Sequence, residues 1–125
     1  MVRVRSGVKI GVRTMRSEVT RAKRIVVKVG SSSLTGSAGS GLDSKAVDLL
    51  VDAVASAKAR GIDVLVVTSG AIAAGLAPLG LKSRPKELEL QQAAASVGQG
   101  LLIARYNQAF SEHSILSSQV LLTTE

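Results

Sequence analysis

The chain has 125 residues, of which 46% are hydrophobic, and it carries a formal net charge of +7 at pH 7. This length and apolar content fit one domain of ordinary size with its own core. The absence of cysteine excludes a disulfide framework, a thiolate metal site and a cysteine nucleophile, and it is compatible with a reducing, cytoplasmic setting. The aromatic residues Tyr106 and Phe110 are too few for a surface that stacks the bases of single-stranded nucleic acid.

The positive charge is concentrated at the amino terminus. The first 24 residues hold eight of the 16 basic side chains and one acidic residue, Glu18, so the rest of the chain is balanced. We predict that residues 1–23 form a basic, disordered leader and that residues 24–125 form the folded domain. A basic arm that contacts nucleic acid and an organellar targeting peptide are the alternatives.

The first predicted element is a strand over Ile25 to Val29, which delivers Lys28 to a loop rich in glycine and serine from Gly30 to Gly41. A Val/Ile run of this kind is typical of a strand buried on both faces. A lysine in such a strand is costly to desolvate unless its ammonium reaches an anion. Glycine lets backbone N–H groups approach that anion closely. The pattern predicts a phosphate site at Lys28, Gly30, Ser31 and Ser32; the alternative is a solvated lysine that ends an edge strand.

A helix and a second strand follow. Asp43 or Ser44 can cap the helix, and Gly61 can end it. The second strand covers Ile62 to Val67, so the two strands flank one helix and form a parallel β-α-β unit. Asp48 and Asp52 lie four residues apart on that helix, and we interpret them as part of a solvated face rather than as a metal pair.

A second small polar turn, Thr68 to Ala71, follows the second strand at the start of another helix. Free N–H groups at a helix amino terminus favour anions such as a carboxylate. We therefore predict an anion-binding turn at Ser69, Gly70 and Ala71; the alternative is that Ser69 only caps the helix. Because ligands bind at the carboxyl ends of parallel strands, both turns are expected at one edge of the sheet.

Residues 64–81 contain no charged side chain over a length that could span a bilayer. Gly70, Gly75, Pro78 and Gly80 interrupt this stretch, so a buried strand and a short helix are predicted instead of a membrane segment.

The sequence after residue 81 predicts a polar connection over Lys82 to Lys86, a long helix to about Phe110, and a third strand over Ser114 to Thr123. The single histidine, His113, is expected to be a surface or packing residue. The overall pattern is that of an α/β protein, a three-layer sandwich with a mostly parallel sheet. Since a strand would deliver Thr123, Thr124 and Glu125 to the sheet edge just where the sequence stops, we expect the fold to be truncated at its carboxyl end.

Five motifs occur in a fixed order along the chain: VKVGSS at 27–32, VTSGAIAAG at 67–75, LG at 79–80, AAxVGQ at 94–99 and QVLLT at 119–123. Neither a G-x-x-x-x-G-K-[ST] motif nor a G-x-G-x-x-G motif follows the first strand. Over residues 24–125 this combination resembles the amino acid kinase superfamily, and within it the branch that phosphorylates glutamate.

The resemblance implies ATP-dependent phosphorylation of the side-chain carboxylate of L-glutamate, the first step of proline biosynthesis, with ATP and Mg²⁺ as cofactors. It makes Lys28 the catalytic lysine that contacts phosphate, with Gly30, Ser31 and Ser32 as the phosphate loop. It makes Ser69, Gly70 and Ala71 the glutamate-binding turn. A cytoplasmic homo-oligomer is also implied, and the aspartate and asparagine that hold glutamate in the family are expected beyond residue 125.

Three other functions stay open at this point. One is phosphorylation of another small carboxylate or phosphate within the superfamily. Another is a fragment that binds anions or amino acids without catalysis. The third is nucleic-acid binding through the basic arm, which the balanced charge of the rest of the chain disfavours.

Overall fold

The computed structural model describes residues 20–35 and 41–120. Nearly all of the predicted leader and the last five residues lie outside this description. Two strands are present, β1 (Arg24–Val29) and β2 (Asp63–Thr68). A 3₁₀ turn covers Ser31–Ser33, and the three helices are α1 (Ser44–Ala59), α2 (Ala71–Leu76) and α3 (Leu88–Glu112).

The two strands are parallel, with Arg24 opposite Asp63 and Val29 opposite Thr68. Helix α1 connects them, so the predicted β-α-β unit is confirmed. The side chains of Arg24 and Asp63 form an ion pair of 2.9 Å at the start of the sheet. In the part of the chain that is described, the sheet has these two strands.

Helix α1 begins and ends as its sequence predicts. The Oδ1 atom of Asp43 accepts hydrogen bonds from the backbone N–H groups of Lys45, at 3.0 Å, and Ala46, at 3.3 Å. These bonds provide acceptors for backbone N–H groups in the first turn of the helix, which have no acceptor within the helix itself. At the other end Gly61 has a φ of +76°, a left-handed conformation that glycine adopts without strain.

The core lies between one face of the sheet and helices α1 and α3. Alternate residues of β1, Val27 and Val29, point into it, as the period of two in a strand requires. The most deeply buried large side chains are Leu34, Val47, Val51 and Leu102. The cluster also contains Leu50, Val54, Tyr106, Ala109 and Phe110.

The opposite face of the sheet is open among the described residues. Val26, Leu65 and Val67 are each about half exposed there, at 45%, 50% and 49%, and Lys28 lies on the same face. The prediction that β1 is buried on both faces is therefore not met by this part of the chain. The α/β class and the parallel sheet are confirmed, but the described residues supply two layers of the predicted three.

The predicted strand over Ser114 to Thr123 is wrong for the residues that the structure describes. Ser114 has a φ of +55°, and residues 115–120 form no strand. Leu116 and Val120 are largely exposed. Alternating apolar residues predict a strand, but a strand also needs a partner for its backbone groups, and none pairs with this segment in the described chain. Residues 121–123 lie outside the description.

Helices α2 and α3 approach each other backbone to backbone. A Cβ atom added at Gly75 would lie 1.9 Å from the carbonyl oxygen of Ala94. One added at Gly98 would lie 1.6 Å from the carbonyl oxygen of Ala71. Any larger residue at either glycine would force the helices apart, so this contact depends on the two glycines.

One ion pair and one histidine hydrogen bond join α1 to α3 and its carboxyl end. Arg105 pairs with Asp48, and Nε2 of His113 lies 2.9 Å from Oδ1 of Asp52. Both carboxylates of α1 thus have a partner at the surface. The described residues contain no group of three or more His, Cys, Asp or Glu side chains that could hold a metal. His113 lies at the surface and contacts α1, as predicted.

The uncharged stretch 64–81 is divided between β2, a turn and α2, as predicted. Among residues 20–35 and 41–120, no helix combines the length and the apolar character needed to cross a membrane.

Candidate functional site

The carboxyl ends of β1 and β2 lie side by side, and Ser69 joins the two turns that follow them. The backbone N–H of Ser69 donates to the carbonyl oxygen of Val29 at 3.1 Å. Its side-chain Oγ donates to the same oxygen at 3.4 Å. The turns predicted separately from the sequence therefore form one surface at the edge of the sheet, where parallel sheets bind ligands.

The first turn, which follows β1, presents backbone donors. The N–H of Ser33 donates to the carbonyl oxygen of Gly30, and that of Leu34 donates to Ser31, both at 3.0 Å. The N–H groups of Ser31 and Ser32 have no acceptor within the described chain, as is usual for the first residues of a helical turn. Both side chains are exposed. This turn can therefore donate at least two backbone hydrogen bonds to an anion.

Gly30 begins this turn, although its own backbone conformation does not demand a glycine. Its φ of −76° and ψ of 157° are extended and open to any residue. A Cβ atom there would meet only Oγ of Ser32, at 4.0 Å. A small residue at this position thus leaves open space beside the free N–H groups.

Lys28 lies one residue before the end of β1, in register with Val67, on the open face of the sheet. Its side chain has no hydrogen bond or ion pair among the described residues. Its ammonium is therefore available to an anion at this edge. An exposed side chain is expected both for a lysine that contacts phosphate and for a lysine that is only solvated.

The second turn contains Ser69, which the sequence analysis interprets either as part of an anion-binding turn or as a helix cap. In the structure, its hydroxyl instead joins this turn to the end of β1. Gly70 is the capping residue of α2, and no side chain caps this helix. Because the Ser69 hydroxyl bonds to Val29 instead, the idea that Ser69 only caps the helix is wrong. Gly70 is buried, and a Cβ atom there would lie 3.8 Å from Leu34.

Helix α3 supplies two residues that the sequence analysis did not assign to the site. The hydroxyl of the buried Tyr106 donates to Oγ1 of Thr68 at 3.4 Å. Burial raises the pKa of Tyr106 above its usual value. The hydrogen bond to Thr68 has the opposite, smaller effect on this pKa. Since this group is protonated at neutral pH, it acts as a donor. Gly98 meets Ala71 at the start of α2. The contacts of Tyr106 with Thr68 and of Gly98 with Ala71 join segments that are distant in the sequence, so they become visible only in the folded structure.

The described residues offer few carboxylate ligands for a magnesium ion at this edge of the sheet. Asp43 is the carboxylate that the topology brings to this edge of the sheet, and its Oδ1 is engaged in capping α1. The absence of a carboxylate cluster in the described ranges agrees with this.

Two comparisons bear on this site. Residues 23–125 match the model of the amino acid kinase family. The chain is also similar to several bacterial proteins named glutamate 5-kinase. It is 60% identical over 111 residues to that of Salinispora arenicola, which covers 89% of this chain and 30% of the relative. It is 54% identical over 115 residues to that of Thermobifida fusca, which covers 92% of this chain and 29% of the relative.

A third such protein, from Bifidobacterium animalis, is 50% identical over 111 residues. The chain thus spans about 30% of the length of these relatives. The matched region contains both turns of the candidate site.

Proposed function

The chain belongs to the amino acid kinase family, and on that premise we propose that the complete gene product transfers the γ-phosphoryl group of ATP to the side-chain carboxylate of L-glutamate. The product is γ-glutamyl phosphate, which enters proline biosynthesis. The observation that carries the proposal is the joining of two turns with free donors at one sheet edge, within a segment 60% identical to a glutamate 5-kinase.

The chemistry needs no general base. The side-chain carboxylate of glutamate has a reference pKa of about 4.3, so it is ionised at neutral pH and can attack phosphorus directly. A carboxylate oxygen forms the new O–P bond, and the bond from the γ-phosphorus to the β,γ-bridging oxygen breaks to leave ADP. Catalysis then consists of bringing two anions together and stabilising the charge on the transferred group.

Each turn has a part in this proposal. Lys28 and the N–H groups of Ser31 and Ser32 would contact the phosphates of ATP, and the open space at Gly30 would admit them. Ser69, with Gly70 and Ala71, would hold glutamate. The bond from the Ser69 hydroxyl to Val29 is long, at 3.4 Å, so this hydroxyl can turn to donate to a carboxylate. We propose that Mg²⁺ accompanies the phosphates of ATP as their counter-ion.

The proposal also includes a cytoplasmic homo-oligomer. Helix α3 supports it, because Leu90, Val97 and Leu101 are each at least 40% exposed and no charged residue lies between Leu90 and Ala104. An uncharged, partly apolar helix face of this kind suits contact with a second copy of the chain.

The reaction can be tested by trapping its product with hydroxylamine. We expect the complete gene product, given ATP, Mg²⁺ and L-glutamate, to form γ-glutamyl hydroxamate, which is measured as its ferric complex. Omission of glutamate should abolish the signal. ATP consumption without hydroxamate would instead favour another acceptor in the family, and ligand binding without ATP consumption would favour a non-catalytic binding protein.

The Ser69→Ala variant tests the assignment of the second turn. Because the alanine cannot donate to a carboxylate, we expect the KM for glutamate to rise about tenfold, the loss of roughly one hydrogen bond to a charged group. The KM for ATP should change by less than about twofold. Ser69→Thr, which keeps the hydroxyl, should retain most of the affinity, and Ser56→Ala on the exposed side of α1 is the control. A change confined to the KM for ATP would reverse the roles of the two turns.

A further inference from the structure

Helix α3 contacts both ends of the turn that contains Ser69. At the end of β2, the Tyr106 hydroxyl donates to Oγ1 of Thr68 at 3.4 Å. At the start of α2, Gly98 lies against Ala71, since a Cβ atom at Gly98 would be 1.6 Å from the Ala71 carbonyl oxygen and 2.6 Å from the Gly75 nitrogen. Ser69 therefore lies between two residues that the same helix contacts.

The turn has few other hydrogen bonds that could fix its position. Ser69 is exposed, and among the described residues its backbone N–H and its hydroxyl both donate to the carbonyl oxygen of Val29. The helix that follows has only six residues, and no side chain caps it. A helix this short is not stable by itself. Helix α3, in contrast, has 25 residues, and it buries Leu102, Tyr106 and Phe110 in the core.

The Tyr106 ring is itself fixed. It is 5% exposed and stacks on Phe110 with ring centroids 6.2 Å apart. Its hydroxyl has one hydrogen-bond partner in the described chain, Thr68. The hydroxyl thus adds a directional contact to a ring whose packing is already determined by the core.

We propose that Tyr106 and Gly98 are positioning residues that hold the turn Thr68–Ala71 from both sides and thereby set the affinity for the carboxylate substrate. This inference rests on the proposed function. Neither residue touches the substrate or the reacting atoms. Tyr106 acts through Thr68, and Gly98 acts by allowing α3 to lie directly against Ala71.

The Tyr106→Phe variant is the principal test, because it removes one hydroxyl and keeps the ring in the core. In the complete gene product we expect the KM for glutamate to rise between twofold and tenfold, with kcat and the KM for ATP changing by less than twofold. Thr68→Val should give a similar rise, and the double variant should be no worse than either single variant. Gln108→Ala, on the exposed side of α3, is the control.

Gly98→Ala tests the other contact. We expect a rise of at least tenfold in the KM for glutamate in the folded fraction, since the start of α2 must move to accommodate the methyl group. Gly100→Ala, two residues along the same helix with nothing within 4 Å of its added Cβ, should leave the KM unchanged. If Gly98→Ala does not fold, the Tyr106→Phe variant alone decides.

A readout without catalysis separates this inference from the proposed function. In an amide NMR spectrum, Tyr106→Phe should shift the signals of Ser69, Gly70 and Ala71 while those of α1 stay in place. If the wild-type protein forms no hydroxamate, the proposed function fails, and these signals still test the positioning. Unchanged amide signals, or an equal change in both KM values and kcat, would overturn the inference.

Discussion

Replacement of Lys28 by alanine is expected to lower the kcat of the complete gene product by about 10²–10³-fold, which corresponds to about 3–4 kcal/mol of lost transition-state stabilisation. The structure supports this expectation because Lys28 lies on the open face of the sheet, next to the first turn. Its side chain has no hydrogen bond or ion pair within the described residues. Its charge is thus available to the transferred phosphoryl group. Steady-state kinetics with the hydroxylamine trap measures the effect.

Two further variants test whether a loss of kcat in Lys28→Ala is specific to the lysine at this position. Lys58→Ala removes an exposed lysine from the last turn of α1, away from both turns, and should leave kcat within twofold. Lys28→Arg keeps the charge but replaces a compact ammonium with a planar guanidinium, so it should restore activity only in part. If Lys28→Ala has a kcat within twofold of the wild type, Lys28 does not contact the transferred phosphate.

The second large effect is expected on stability, from Gly75→Ala. In an open helix this change gains about 0.5–1 kcal/mol, because alanine has the higher helix propensity. At Gly75, however, the added methyl group would lie 1.9 Å from the Ala94 carbonyl oxygen, which belongs to the backbone and cannot rotate away. We expect the clash to dominate and to lower the free energy of unfolding by about 1–3 kcal/mol or more. Urea denaturation of the complete gene product measures this.

Gly100→Ala is the matched control for Gly75→Ala, and we expect it to change the free energy of unfolding in the opposite direction. It lies in the interior of α3, and an added Cβ has nothing within 4 Å. It should therefore raise the free energy of unfolding by about 0.5–1 kcal/mol. If both variants change stability in the same direction, the close approach of α2 and α3 does not control it.

The elements that were predicted correctly are those with local signals. Asp43 and Gly61 mark the two ends of α1. The apolar runs Ile25 to Val29 and Ile62 to Val67 predict the two strands to within one residue of their observed bounds. The two turns were also placed at the right edge, because parallel strands end on the same side of a sheet. Local spacing and topology sufficed for these features.

The features that were missed depend on contacts between distant segments. The apolar residues after Ser114 suggest a strand, yet sequence periodicity does not show whether a partner is present. Tyr106 and Thr68 lie 38 residues apart, and nothing near either residue indicates their hydrogen bond. Gly98 belongs to the AAxVGQ motif, but its contact with Ala71 follows from how closely α3 crosses α2.

The hydrogen bonds from Ser69 to Val29 have a consequence for folding, because they join residues 40 positions apart. In the unfolded chain the two turns are separate, and bringing them together costs loop-closure entropy that the packing of α1 must offset. A ligand that contacts both turns binds only after this closure. It therefore stabilises the folded state by mass action, by about 2.7 kcal/mol at a concentration 100 times its Kd. In the proposed reaction, ATP and glutamate bound together at the two turns would thus act as folding ligands as well as reactants.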